Sequence, residues 1–270
     1  MLKVRVLTAA ILSGFLLAAI FLLPARGAVL VFGVICSLGA WEWSGFGALQ
    51  RPLARGAYTL VLGVLQYFGW VVSSVPAYLN ALMAAACLWW VTAFFWLTLA
   101  PGRQRPLLTL GCGAIVLVPA FVALARVQDS RHAGISGAQL VLWLMLLVVA
   151  ADIGAFFAGR RFGRHKLAPQ VSPGKTWEGA LGGLAAVAVV SWIGALRLGS
   201  PVLGSVLFGC AVGVFSIVGD LTESMFKRAA GLKDSGAILP GHGGVLDRID
   251  SITAAAPFYA LGLFGLGALA

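Results

Sequence analysis

Two pairs of acidic residues near the C-terminus have the spacing expected of a metal site. Asp220 and Glu223 form one pair, and Asp247 and Asp250 form the other. Because residues three apart share one face of a helix, each pair can present two carboxylates in the same direction. Carboxylates with no His or Cys beside them favour a hard cation, Mg²⁺ above all, and two cations could share such a cluster. Ion pairing of these acids with Lys and Arg is the alternative interpretation.

A basic, glycine-containing segment separates the two acidic pairs. It carries Lys227, Arg228 and Lys233, followed by His242 within a run of glycines. Glycines let backbone N–H groups approach an anion, and cations beside carboxylates are typical of sites for polyphosphate with Mg²⁺. A solvated loop at the membrane boundary would also be basic. His242 could contact phosphate or form a structural hydrogen bond in the glycine turn.

A second basic segment precedes residue 177. Its Gly174-Lys175-Thr176 resembles the end of a phosphate-binding P-loop, but the required first glycine is Pro169 and we expect no strand before it. We place Lys175 and Thr176 at a helix N-terminus, where backbone donors favour phosphate. The arginines at 160, 161 and 164 could serve only to set membrane orientation. Upstream, Asp152 lies in an apolar run, where a charge usually faces a cavity or a partner.

The elements that position these residues are membrane helices. Hydrophobic residues make up 60% of the chain and charged residues 10%, and the mean hydropathy is +0.98. This excludes intrinsic disorder and a water-exposed globular surface. We predict an all-α polytopic integral membrane protein, because strands of alternating polarity are absent and lipid cannot satisfy open backbone groups. About nine transmembrane helices are expected, at 7–23, 28–49, 57–75, 78–100, 107–125, 136–158, 177–196, 200–222 and 251–270.

Basic residues set the orientation of these spans. With the N-terminus in the cytoplasm, 15 of the 19 Lys and Arg residues, including Arg103, fall on the cytoplasmic side, which satisfies the positive-inside rule. The expected location is therefore the cytoplasmic (inner) cell membrane, and the net charge of +10 does not point to nucleic acid. Ala25-Arg26-Gly27 could be a signal-peptidase site, but the positive charge before the first apolar run also suits a retained span.

The acidic residues divide the chain into two regions. Seven of the nine acids follow residue 150, and only Glu42 and Asp129 precede it. We predict an N-terminal transmembrane scaffold at 1–132 and a C-terminal catalytic region at 133–270, with cytoplasmic loops at 159–176 and 223–250. The four cysteines lack CxxC pairing and the three histidines lack metal-ligand spacing, so neither a disulfide nor zinc is supported.

The segment 224–250 resembles the signature of the phosphatidate cytidylyltransferases, also called CDP-diacylglycerol synthases. The matching positions are Ser224, Phe226, Lys227, Arg228, Lys233, Asp234, Gly236, Leu239, Pro240, His242, Gly243, Gly244, Val245, Asp247, Arg248, Ile249 and Asp250. The stretch from Asp152 through 165–169 to 172–179 is also similar to this family. Gln170 departs from it, because a basic residue is expected there. The resemblance covers 150–255, and over the first 130 residues it extends only to length and hydropathy.

This resemblance implies a nucleotidyltransferase of phospholipid biosynthesis. CTP and phosphatidate would give CDP-diacylglycerol and pyrophosphate in a Mg²⁺-dependent in-line transfer at the cytoplasmic face of the membrane. Asp220 and Asp247 are the expected principal metal ligands, with Asp250 and Glu223 as further ligands or their supporting partners. The residues expected at the two substrates are Lys227, Arg228, Lys233, Arg248, Lys175, Asp152, Ser172, Thr176 and His242. Such a bundle is also compatible with a homodimer, which no sequence feature establishes.

Three other functional classes are alternatives to this enzyme. A secondary transporter would place its acids near the bilayer midplane on broken helices, whereas these acids lie at membrane boundaries beside basic loops. A CDP-alcohol phosphotransferase would need a pattern of Asp, Gly and Arg on adjoining helices that is absent. A CTP-dependent enzyme that acts on another lipid phosphate or a lipid alcohol remains open.

Overall fold

The computed structural model describes residues 2–102, 105–132, 134–239 and 241–265. Three sequence predictions involve residues outside these ranges: Arg103 in a basic loop, Pro240 in the signature, and 266–270 at the end of the ninth span.

The described chain forms nine helices, one for each predicted span. They are α1 (Leu2–Leu22), α2 (Ala25–Phe46), α3 (Pro52–Val72), α4 (Pro76–Leu99), α5 (Pro106–Asp129), α6 (Gly137–Phe162), α7 (Trp177–Leu198), α8 (Val202–Ala229) and α9 (Leu246–Phe264). Among the described residues, six of these (α2 and α4 to α8) contain a stretch long and apolar enough to cross a membrane. The protein is therefore a mostly helical, membrane-embedded polytopic protein, while nine crossings stay a prediction.

Local sequence signals explain where several helices begin. Pro52, Pro76 and Pro106 open α3, α4 and α5, where a missing N–H is harmless and the fixed φ already suits a helix. Ser136 and Gln139 form a reciprocal capping box at the start of α6.

Two helices extend further than their apolar runs indicate. The sequence predicts that the eighth span ends at Asp220 and Glu223, but α8 continues to Ala229. Likewise, α6 continues to Phe162, so the loop predicted to begin at 159 begins later. Glu223, Lys227 and Arg228 in α8, and Arg160 and Arg161 in α6, are good helix formers. In α8, Glu223 and Lys227 are also held by ion pairs within the protein, as described below.

Two short antiparallel hairpins modify the all-α expectation. Strand β1 (Arg131–His132) pairs with β2 (Ile135–Ser136), and β3 (Lys166–Ala168) pairs with β4 (Ser172–Thr176). The expectation that no strand adjoins 174–176 was therefore wrong, since these residues lie in β4. Such strands of two to five residues carry no alternating apolar pattern, so the sequence gives no periodic signal for them.

The core is shared by both predicted regions of the chain. One buried cluster joins Phe32 of α2 and Phe121 of α5 to Leu144 of α6 and Tyr259 of α9. A second cluster brings Trp43 of α2 together with residues of α4, α5, α8 and α9. The division at 132/133 stays a prediction, but its two parts pack as one helical body.

Helices α6 and α7 pack closely against each other through glycines. A β-carbon at Gly154 would lie 2.6 Å from the carbonyl oxygen of Gly182 and 3.0 Å from the Cα of Gly183. Backbone atoms cannot move aside as a side chain can. The small residues therefore permit the approach that places the ends of α6 and α7, and with them the candidate site.

We predict that Gly154→Leu lowers the thermal unfolding temperature of the detergent-solubilised protein. Overpacking against backbone should cost about 1–3 kcal/mol. Gly111→Leu in α5 is the matched control, because a β-carbon there meets nothing within 4 Å. Its unfolding temperature should match wild type, and equal values for both variants would contradict the close approach.

Candidate active site

Four carboxylates from three helices form a row. Asp152 comes from α6, Asp220 and Glu223 from α8, and Asp250 from α9. Asp220 is an electrostatic neighbour of both Asp152 and Asp250, and Asp250 is in turn a neighbour of Glu223. The fold thus brings together acids that are up to 98 positions apart in sequence, as expected for a site for cations or for a cation-bearing substrate.

Two lysines balance this row of negative charge. Lys175, at the end of β4, forms an ion pair with Asp220. Lys227 lies on α8 and is buried, with its Nζ 3.0 Å from Glu223 Oε1 and 2.6 Å from Asp247 Oδ1. Because Lys227 contacts two carboxylates at once, it fixes α8 against α9, and its charge is already balanced within the protein.

Asp247 is surrounded by hydrogen-bond donors. Besides Lys227, its carboxylate accepts from the backbone N–H of Ser235 at 2.9 Å, the hydroxyl of Ser235 at 2.9 Å and the backbone N–H of Gly244 at 2.8 Å. Gly243 turns the chain with φ +80°, and a β-carbon there would lie 2.9 Å from Asp247 Oδ2. Asp247 therefore organises the loop between α8 and α9.

Glu42 is a site residue, although it lies in the predicted N-terminal scaffold. It lies on α2, is 1% exposed, and accepts hydrogen bonds from the backbone N–H groups of Val245 at 3.1 Å and Leu246 at 2.8 Å. The hydroxyl of Ser235 is 3.1 Å from Glu42 Oε2, so it lies between Glu42 and Asp247. The open N–H groups at a helix N-terminus favour an anion. Glu42 therefore holds the start of α9, which carries Asp247 and Asp250.

Only one sequence feature could have singled out Glu42. It is a lone acid inside a 22-residue apolar helix, and such residues usually face a partner. The partner itself is about 200 positions away, so no local pattern identifies it.

A cavity of about 400 Å³ lies beside the row of carboxylates. It is enclosed by α6, α7, α8 and the β3–β4 hairpin, and Asp152, Lys175 and Asp220 line its polar side. Apolar residues, including Phe156 and Ile217, form much of the remaining wall. Its combination of charged and apolar lining suits a molecule with a charged head and an apolar body.

The hairpin that carries Lys175 is fixed by two local caps. Thr176 accepts a hydrogen bond from the backbone N–H of Gly179 at 3.1 Å, which caps α7 and confirms the predicted helix start. Glu178 accepts from the backbone N–H groups of Arg164 and His165, and the His165 ring nitrogen Nδ1 lies 2.6 Å from its Oε1. These bonds tie the end of α6 to the start of α7.

The remaining predicted site residues lie at the edge of this arrangement. Arg228 and Arg248 are exposed and donate to backbone carbonyls, Arg228 to Leu232 and Arg248 to His242. Lys233 is exposed, and Ser172 is half-buried in β4 without lining the 400 Å³ cavity. The Nδ1 atom of His242 is buried with no hydrogen-bond partner among the described residues.

The donor chemistry of this site fits Mg²⁺ bound partly through substrate. No group of three or more His, Cys, Asp or Glu side chains in the described ranges forms a preformed metal cluster. Mg²⁺ characteristically binds through one or two carboxylates together with substrate phosphates and water. Asp152 and Asp220 offer carboxylates of this kind along the cavity, whereas Asp247 is already occupied by its donors. Glu223 Oε2 is also buried without a hydrogen-bond partner among the described residues.

The fold and site define a membrane-embedded helical protein with a charged pocket, and comparisons with known proteins specify its family. The pattern of the Cytidylyltransferase family matches residues 3–264, and the chain belongs to this family. It is 43% identical to the phosphatidate cytidylyltransferase of Pseudomonas aeruginosa over 99% of this chain and 98% of the relative. The corresponding figures for the Haemophilus influenzae protein of that name are 40%, 96% and 98%. A Helicobacter pylori protein of the same name is 46% identical over 48% of this chain and 47% of its own length.

We predict that Glu42→Gln lowers cytidylyltransferase turnover by about 10- to 100-fold, the usual cost of losing a partner that orients site residues. The amide would point a donor at groups that are themselves donors, which shifts the start of α9. The effect should fall mainly on kcat, because Glu42 does not line the cavity. Asp129→Asn, which changes the other N-terminal acid, is the control and should keep wild-type kcat. An unchanged kcat in Glu42→Gln would contradict this positioning role.

Proposed function

We propose that the protein is a phosphatidate cytidylyltransferase that converts CTP and phosphatidate into CDP-diacylglycerol and pyrophosphate. The observation that carries this proposal is the 400 Å³ cavity, where Asp152, Asp220 and Lys175 face an apolar wall between membrane helices. A nucleoside triphosphate needs the charged side, and a diacyl lipid needs access from the bilayer. The names of the two full-length relatives support the same reaction.

The reaction requires no general base from the protein. A phosphate oxygen of phosphatidate, already anionic, attacks the α-phosphorus of CTP. The new phosphorus–oxygen bond forms as the bond to the bridging oxygen breaks, and pyrophosphate leaves with that electron pair. Positioning and charge neutralisation are then the protein's main contributions. This accounts for a site built from carboxylates and lysines.

The described residues divide into contact and positioning roles. Lys175 reaches the cavity and neutralises phosphate oxygens, while Thr176 fixes the helix start beside it. Asp152 and Asp220 would hold Mg²⁺, with Asp250 close by, and the bound ion would neutralise triphosphate oxygens. Lys227, Glu223 and Asp247 position α8 against α9. Arg228, Lys233 and Arg248 are available at the exposed edge, where the ends of the substrates would extend, and the half-buried His242 lies beside Arg248.

The membrane face and the assembly are part of this proposal. The positive-inside pattern supports a cytoplasmic site in the cytoplasmic (inner) cell membrane, where CTP is available. The homodimer stays a prediction.

We predict that the purified protein transfers label from α-labelled CTP into the organic phase when phosphatidate and Mg²⁺ are present. EDTA should abolish the transfer, and Asp220→Asn should reduce it to background, since it removes a carboxylate from the cavity without removing volume. Asp129→Asn should transfer label at the wild-type rate. The unfolding temperature of each variant shows that the protein is folded.

The identity of the lipid acceptor and the effect of EDTA can each contradict the proposal. Transfer to diacylglycerol or another lipid alcohol, with none to phosphatidate, would establish a different CTP-dependent enzyme. Undiminished transfer in EDTA would exclude the assigned Mg²⁺. Failure of a folded preparation to bind CTP would exclude the family reaction and favour transport.

We also predict that substitutions of Lys175 and Lys227 have different effects. Lys175→Met should lower kcat/KM for CTP by about 10- to 100-fold, because a hydrogen bond to a charged group is worth about 1.5–3 kcal/mol. Lys227→Met should instead destabilise the fold by about 3–5 kcal/mol, since it leaves Glu223 and Asp247 without their shared cation. Steady-state kinetics and thermal unfolding of both variants test this contrast. A stable Lys227→Met protein with raised KM would move Lys227 to the substrate.

A further inference from the structure

A second cavity lies away from the candidate active site, between α2, α3 and α5. Its volume is about 630 Å³ and its lining is mostly apolar, with Gly33 and Leu38 on α2, Gly63 on α3 and Phe121 on α5. This volume lies within the range of about 300–1,000 Å³ that is typical of small-molecule sites. Since α2 and α5 both qualify as membrane-crossing helices, lipids of the bilayer can reach this cavity.

The cavity contains polar groups without partners. Gln66 is 2% exposed and lines the cavity, and its Nε2 atom is buried without a hydrogen-bond partner among the described residues. The Oγ1 atom of Thr59 is also buried without a hydrogen-bond partner among the described residues. Thr59, Gly63 and Gln66 are spaced by four and three residues, so they share one face of α3. An unpaired buried donor is costly, and an acceptor on a bound molecule would satisfy it.

The cavity has a cationic end. Helices α2 and α3 run antiparallel, since Arg55 near the start of α3 donates to the carbonyl of Trp41 near the end of α2. Arg26, which also lines the cavity, therefore lies at the end where α3 carries Trp70. Arg26 is exposed and forms no ion pair within the described ranges.

The spacing of these groups matches a glycerophospholipid. Gln66 precedes Trp70 by four residues, which places it about 6 Å deeper than the Arg26 end at a rise of about 1.5 Å per residue. The ester carbonyls of a glycerophospholipid lie below its phosphate by a comparable depth, and its acyl chains continue into the apolar region. A phosphate at Arg26, a carbonyl at Gln66 and an acyl chain beside Gly63 would follow in that order.

We propose that this cavity binds one anionic glycerophospholipid as a resident ligand. Its phosphate pairs with Arg26, an ester carbonyl accepts from Gln66 Nε2, and an acyl chain fills the groove along α3. The site is separate from the candidate active site, because the two cavities share no lining residue, and Arg26 lies near the start of α2 whereas Glu42, which contacts the loop before α9, lies near its end. The lipid therefore belongs to the membrane face opposite the carboxylate row and is not the substrate.

The first test fills the cavity. A β-carbon at Gly63 meets nothing within 4 Å, so Gly63→Phe can extend its ring into the open space. Gly56→Phe on the same helix is the matched control, since Gly56 is equally open but does not line the cavity. Native mass spectrometry with added dioleoylphosphatidylglycerol should show one tightly bound lipid on wild type and on Gly56→Phe. Gly63→Phe should weaken that binding at least tenfold, and equal binding by all three proteins would overturn the proposal.

Two polar variants test the chemistry without filling space. Arg26→Gln should abolish the preference for dioleoylphosphatidylglycerol over dioleoylphosphatidylcholine, and wild type should prefer the former about tenfold. Gln66→Leu should weaken binding several-fold even though it removes an unpaired amide. A rise in unfolding temperature for Gln66→Leu with unchanged lipid binding would show that the amide faces no lipid. A mass equal to two chains that Gly63→Phe reduces to one would identify a second copy as the occupant and overturn the lipid assignment.

Discussion

A buried chain of charged and polar side chains connects the candidate active site to the rest of the bundle. It runs from Glu42 through Ser235 to Asp247, and then through Lys227 to Glu223. Burying a charge costs free energy unless the charge is paired and hydrogen-bonded. All these groups must therefore be in place together in the folded protein. That requirement fixes α2, α8 and α9 relative to one another. The loop between α8 and α9, which contains most of the family signature, is held from both sides.

The cavity depends on this arrangement together with close helix contact. Glycines bring α6 and α7 together, and the Thr176 and Glu178 caps fix the hairpin that carries Lys175. Asp220 then meets Lys175 across the cavity because the buried ion pairs hold α8 in place. Charged and apolar walls therefore face the same space, as a reaction between a nucleotide and a lipid requires.

The N-terminal helices take part in function as well as packing. Glu42 reaches the start of α9 from α2, and residues of α2, α4 and α5 share core clusters with α8 and α9. A division into scaffold and catalytic region describes where the charged residues fall in the sequence, but not how they are held. The cavity of about 630 Å³ that Gln66 lines also lies among these N-terminal helices.

The sequence by itself determined the membrane class, the nine helical segments and the family signature in the C-terminal part. These follow from long apolar runs, a helix-start signal at Thr176, and a dense local signature, all of which are properties of neighbouring residues. Only the tertiary structure decided that Asp247 is enclosed by donors, that Lys227 is a buried partner of two acids, and that Glu42 belongs to the site. Each of these includes a contact between residues at least 20 positions apart, and for Glu42 the separation is 204. Helix packing alone brings such residues together, and hydropathy and spacing do not encode which faces will meet.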